Sequence, residues 1–179
     1  VYYSDKEKIM KAMLIANCSK FKVFKDNIFI ASTERGFYIA VYNNNGKLLY
    51  EIRKDYKKRA ITVEEKDSIL DNLRKSIGEA EWAKRKSMVI YEFPQYSPAF
   101  CNFSVKDDKI YILQFPLESQ LEILIIDLKG NFLKKKIIPY KMRAGDIEFG
   151  RYDISDGKIY YMVENEATDG WELQIEDIE

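Results

Sequence analysis

The stretch VKDDKIYIL, residues 105–113, reads as two short apolar runs around an acidic turn, and the chain writes it three times. Upstream stands VFKDNIFIA, residues 23–31, and downstream ISDGKIYYM, residues 154–162. Aligned without gaps, Phe21, Val23, Ile28, Phe29 and Ile30 fall on Phe103, Val105, Ile110, Tyr111 and Ile112, an offset of 82. Tyr152, Ile154, Ile159, Tyr160 and Tyr161 follow at a further 49. Each copy breaks at a polar turn, Asp26-Asn27, Asp107-Asp108-Lys109 or Asp156-Gly157-Lys158. Asn, Asp and Gly tolerate positive φ, so these are hairpin turns between strands. Internal self-similarity at this spacing governs the fold and precedes any local assignment.

A second pair of strands follows the first two copies. YIAVYNNNGKLLYEI, residues 38–52, matches EILIIDLKGNFLKKKI, residues 122–137, with Gly46 on Gly130 and Leu48 on Phe132 at an offset of 84. Each unit therefore reads as four antiparallel strands in a meander, and four-stranded units repeated radially are propeller blades. The expected fold is all-β, a partial β-propeller over residues 1–179 with one inserted amphipathic helix. Its expected parts are a blade end at 1–16, a blade at 19–58, a helical insertion at 59–92, a blade at 93–140 and an incomplete blade at 147–179. The N-terminal stretch aligns with a fourth strand, Ile9 taking the place of Leu48, and the third copy ends without one. The expectation is that the first strand completes the last blade. About three blades result, half of a six-bladed ring, because propellers need roughly four to eight. Either this is the C-terminal half of a longer propeller, the favoured reading, or two copies combine.

Composition excludes several classes of function. Lys and Arg number 29 and so do Asp and Glu, leaving no net field to draw in nucleic acid. Histidine is absent, which removes the commonest general base and metal ligand together. Cys18 and Cys101 are too few for a disulfide framework; either the fold brings them together as a single bridge or, the favoured reading from their apolar surroundings, both are small buried hydrophobes. No apolar run reaches the roughly 20 residues of a membrane span, and VYYSDKEKIM has no signal-peptide core.

Residues 59–100 do not repeat. Thr62 with Glu65 forms a capping box, and Ile69, Leu70, Leu73 and Ile77 line one face of a helix that ends near Gly78. Pro94 and Pro98 then keep the chain extended. This piece, through Arg59, Thr62, Glu64, Glu65, Phe93, Pro94, Tyr96, Pro98, Ala99 and Phe100, resembles a bacterial six-bladed β-propeller family related to the TolB and NHL-type propellers. Tyr111 stands where that family usually has Trp. The resemblance implies an extracytoplasmic protein, periplasmic, secreted or lipoprotein-anchored, completed by an N-terminal half or by a second copy. It is nearly silent about chemistry.

Propellers bind on loops or at the channel mouth, so loop residues are the candidates. Arg59 offers a guanidinium to a carboxylate or phosphate, or else an ion pair to Glu64 or Glu65. Tyr96 and Phe100 offer ring surfaces to a sugar or peptide, or else pack the loop onto its own sheet. Asp107, Asp108, Asp153 and Asp156 carry the oxygens that calcium wants, but each sits in a turn that favours Asp for backbone reasons, so no metal or cofactor is expected. The lysine-rich runs read as solvated edges. The leading expectation is a non-catalytic scaffold that binds a protein or small ligand. The alternatives are a metal-dependent, lactonase-like hydrolase and a half-propeller that homodimerises.

Overall fold

The computed structural model describes residues 2–3, 9–17, 19–114, 120–139, 151–165, 168 and 170–179. In chain order the strands are β1 (Tyr2–Tyr3), β2 (Met10–Met13), β3 (Ser19–Phe24), β4 (Asn27–Ser32), β5 (Phe37–Asn43) and β6 (Leu48–Lys54). The helices α1 (Val63–Ile77) and α2 (Glu79–Lys86) follow. Then come β7 (Val89–Glu92), β8 (Asn102–Lys106), β9 (Lys109–Leu113), β10 (Gln120–Asp127), β11 (Phe132–Pro139), β12 (Tyr152–Ser155), β13 (Lys158–Asn165) and β14 (Gly170–Asp177). The protein is mostly β, and it divides into two compact units.

The larger unit, Asn17–Lys57 with Pro98–Glu179, holds three antiparallel meanders: β3-β4-β5-β6, β8-β9-β10-β11 and β12-β13-β14. The turns follow from local chemistry. Asp107 and Asp108 both take positive φ, as do Asp156 and Gly157, which is what a two-residue hairpin requires. In the first copy the turn falls one residue earlier than the sequence suggests, with Lys25 at positive φ and β4 already begun at Asn27.

The third hairpins of the two four-stranded sheets are built alike. Asn43 Oδ1 accepts from the backbone N–H groups of Asn45 and Lys47 at 3.0 and 2.9 Å, and Asp127 Oδ1 accepts from those of Lys129 and Asn131 at 2.9 and 2.7 Å. A glycine of positive φ, Gly46 or Gly130, completes each turn. Each preceding strand carries a bulge at the same place, Val41/Tyr42 and Ile125/Ile126.

The sheets stack face to face through two cores. In one, Phe29, Ala31, Ile39, Val41 and Ile52 of the first sheet meet Phe103, Val105, Ile110, Ile112 and Ile126 of the second. In the other, Tyr111, Leu113, Leu121, Ile123 and Ile125 meet Ile154, Ile159, Tyr161 and Val163 of the third. The β8–β11 sheet is thus covered on both sides. That explains why β9 and β10 read as nearly unbroken apolar runs instead of alternating with polar residues. Full burial of each such side chain contributes about 1.5–3 kcal/mol.

The smaller unit, Val1–Ala16 with Lys58–Ser97, holds both helices and a three-stranded sheet in the order β1-β2-β7. Here the structure departs from the expectation for residues 1–16. Met10–Met13 run parallel to Val89–Glu92, in register Met10 with Val89, and among the described residues the β12–β14 sheet has three strands. Lys11 Nζ meets Glu92 Oε1 at 2.6 Å, an ion pair across the β2–β7 ladder. A four-residue apolar strand carries no signal of its neighbour's direction, so the pairing is not legible in it.

The inserted region also contains two helices and not one. Gly78, at φ +81°, ends α1 and stands at the N-cap of α2, whose acidic first turn and basic last turn suit a helix dipole. Trp82 of α2 stacks on Tyr91 of β7, ring centroids 5.5 Å apart and planes 12° from parallel. Among the described residues, no helix is long and apolar enough to cross a membrane.

Candidate functional site

In the smaller unit, two extended segments run side by side. Ala60 and Tyr96 form an antiparallel bridge, the Ser97 N–H donates to Arg59 O at 2.9 Å, and the Ile61 N–H donates to Gln95 O at 3.3 Å. Pro94, which has no N–H to give, stands outside these bonds. The ladder sets Arg59 and Tyr96 on neighbouring strands at the entrance to α1.

Arg59 is engaged by the helix it precedes. Its Nη1 lies 2.5 Å from Glu65 Oε1, while Glu65 Oε2 accepts from the Thr62 backbone N–H at 2.9 Å. The Thr62 hydroxyl in turn accepts from the Glu65 N–H at 3.2 Å, closing the capping box. One carboxylate thus fixes both the helix start and the guanidinium, which is the ion-pair arrangement. Glu64 stays exposed, and its hydrogen bonds to its own backbone N–H and to Thr62 hold its carboxyl below the ordinary range.

Tyr96 is 38 % exposed, with Lys58 Nζ over its ring at 5.6 Å from the centroid. Phe93 carries a similar cation, Lys66 Nζ at 6.0 Å. Aromatic rings flanked by ammonium groups suit a ligand that has both a flat or apolar face and negative charge. A shallow groove of about 240 Å³ lies along α1 and α2, lined by Asp67, Leu70, Asp71, Arg74, Trp82 and Lys86.

Phe100 lies elsewhere, in the larger unit. It is fully buried in the core between the first two sheets, edge-to-face with Phe37 at 5.6 Å. It offers no ring surface to a ligand, because Pro98, Ala99 and Cys101 around it are buried as well. Cys101 is a buried thiol 3.2 Å from the carbonyl oxygens of Leu113 and Gln114, as its apolar context suggests. Cys18 lies outside the described residues.

Asp107, Asp108 and Asp156 sit in hairpin turns at positive φ, whereas Asp153 stands within β12 opposite Tyr160 and not in a turn. Asp108 meets Lys25 Nζ at 2.5 Å, and Asp153 lies 3.9 Å from Lys106 Nζ. Among the described residues, no group of three or more His, Cys, Asp and Glu gathers where a metal would sit.

One cluster was not singled out from the sequence. On the β3–β6 sheet the Tyr38 hydroxyl donates to Glu51 Oε1 at 2.6 Å, and the same carboxylate accepts from Arg53 Nη2 at 2.9 Å. The guanidinium groups of Arg35 and Arg53 lie over the Tyr38 ring, at 5.1 and 4.7 Å. The hydrogen bond to Glu51, with burial second, raises the Tyr38 pKa, and that bond together with Arg53 lowers the pKa of Glu51. Its signal was the alternation of Glu51 and Arg53 opposite Tyr38, legible only once the register of β5 and β6 is known.

No family model, curated protein or solved structure matches the chain.

Proposed function

We propose that this protein is a β-propeller scaffold of the six-bladed type that binds a protein or small ligand and does no chemistry itself. The observation that carries the reading is the order of the cores. One face of the β8–β11 sheet packs on the sheet before it and the other on the sheet after it, through residues that recur at matching positions. Consecutive meanders packed in this way are how a propeller buries its blades. Extracytoplasmic location is part of the proposal and rests on the resemblance of residues 59–100.

The binding element we propose is the ladder at Arg59 and Tyr96, where an exposed ring and nearby cations are held rigid by backbone hydrogen bonds. The test is a thermal-shift screen of acidic sugars, dicarboxylates and short acidic peptides, followed by titration. A ligand that raises the melting temperature and loses affinity in Tyr96→Ala supports the reading. Lactone or ester turnover that needs added calcium or zinc would contradict it in favour of a hydrolase.

A further inference from the structure

Each outer face of the three-sheet stack exposes apolar side chains at positions whose equivalents inside the stack are buried, on the first sheet beside the Tyr38–Glu51–Arg53 cluster. On β3 and β4, Phe21 pairs with Ile30 and Val23 with Ile28. The same cross-strand pairs recur as Phe103 with Ile112 and Val105 with Ile110, then as Tyr152 with Tyr161 and Ile154 with Ile159. In the second and third sheets this set packs against the sheet before it. In the first sheet Phe21 is 69 % exposed and Val23 64 %.

The opposite face repeats the pattern at the other end. Phe29 with Val41 and Ala31 with Ile39, then Tyr111 with Ile125 and Leu113 with Ile123, are buried against the sheet that follows. The matching pairs of the third sheet are Tyr160 with Ile175 and Met162 with Leu173, and there Leu173 is 56 % exposed and Ile175 51 %.

We infer that a second copy of this chain covers both faces at once, its β12–β14 sheet seating on Phe21 and Val23 and its β3–β6 sheet seating on Leu173 and Ile175. The inference rests on the propeller reading and adds the partner. Each contact joins the kind of face that already meets inside the chain, so the new interface continues the established ones. A two-fold axis makes both contacts together, leaving no face over and no route to a filament. Two larger units of three sheets each give six, within the range that closes a ring. Three or four strands about 4.8 Å apart and five or six residues long present roughly 300 Å² of flat face, so two such contacts remove roughly 1,200 Å² in total. That reaches the lower bound for a stable interface, with side-chain relief adding to it.

The experiment is the particle mass of the full chain by size-exclusion chromatography with light scattering. The expected mass is twice 21.1 kDa. Phe21→Glu and Leu173→Glu, each on an exposed position and so compatible with the fold, are expected to weaken the pair roughly thirtyfold or more, because burying an unpaired charge in an interface core costs a hot spot's worth of binding. With p-benzoylphenylalanine in place of Phe21, the photo-crosslink is expected in the partner's residues 160–175. A 21.1 kDa particle with an unchanged cooperative melt overturns the second copy and leaves the propeller reading standing. A dimer that both glutamate variants leave intact, or that cross-links elsewhere, also overturns it. A dimer cross-linked through these faces that shows no central opening in negative-stain images overturns the propeller reading instead.

Discussion

Gly130 sits directly against Ile52: a methyl group placed on its Cα would come within 2.7 Å of Ile52 Cγ2. Gly46 fills the matching turn of the neighbouring sheet, with nothing within 4 Å of the same position. Both need positive φ, at +90° and +75°. The two glycines therefore separate backbone strain from close approach.

Gly46→Ala is predicted to cost about 1–2 kcal/mol from φ alone. Gly130→Ala is predicted to cost roughly 3 kcal/mol, since Ile52 is core-packed and cannot swing away. Urea unfolding midpoints of the two variants check the difference. Equal costs would mean that Ile52 yields freely.

The α1 helix has no fully buried residue, so its start matters more than its packing. Thr62→Ala is predicted to remove about 1 kcal/mol and to reduce the helical signal at 222 nm in circular dichroism. Arg59→Ala is predicted to change stability by less than about 1 kcal/mol, because the pair with Glu65 is partly solvated. A larger loss in Arg59→Ala than in Thr62→Ala would contradict this order.

The Tyr50 hydroxyl donates to Leu128 O at 2.9 Å, joining the first sheet to the second, and burial with nearby Asp127 raises its pKa. Tyr50→Phe is predicted to cost about 1 kcal/mol. Tyr56→Phe, which loses a longer bond of 3.2 Å to Pro98 O, is predicted to cost less. Paired denaturation curves measure both.

Glu179 accepts from Lys109 Nζ at 2.7 Å and from the Tyr111 hydroxyl at 2.5 Å, and Lys109 first and Tyr111 second hold its carboxyl below the ordinary range. A carboxyl whose folded pKa is depressed adds stability above its unfolded pKa, near 4.3, and loses it as pH falls through the folded value. Glu179→Gln is predicted to melt at a lower temperature at neutral pH, by a small margin because water screens the exposed carboxylate. The two curves should converge once the pH falls below the folded value of Glu179. A constant gap at all pH values would mean that the charge is irrelevant.

The three hairpin pairs were legible because apolar residues recur at fixed offsets; in two of them the turn residues Asp107, Asp108, Asp156 and Gly157 take the positive φ their chemistry suits, while the first turn moved to Lys25, which no sequence signal marks. The capping box at Thr62 and Glu65 was legible because its chemistry is local. The partner of the N-terminal strand was not, since MKAM pairs with VIYE through contacts that no short-range pattern encodes. The α2 helix had a readable sequence, EAEWAKRK, hidden behind the stop at Gly78. Arg59 and Tyr96 lie on two segments joined by the Ala60–Tyr96 bridge, whereas Phe100 turned from a candidate ring surface into core. A Phe flanked by Ala and Cys is as apolar in a loop as in a strand, and only packing distinguishes the two.

The central claim is that the β8–β11 sheet is buried on both faces, and adjacent residues of β9 test it. Ile112 faces the first sheet and Leu113 the third, both fully buried. Denaturant unfolding of Ile112→Ala and Leu113→Ala is the measurement. The account predicts that each loses about 2–5 kcal/mol, as large-to-small changes in a packed core do. A loss below about 0.5 kcal/mol in either variant, the value typical of a solvated position, would contradict the account.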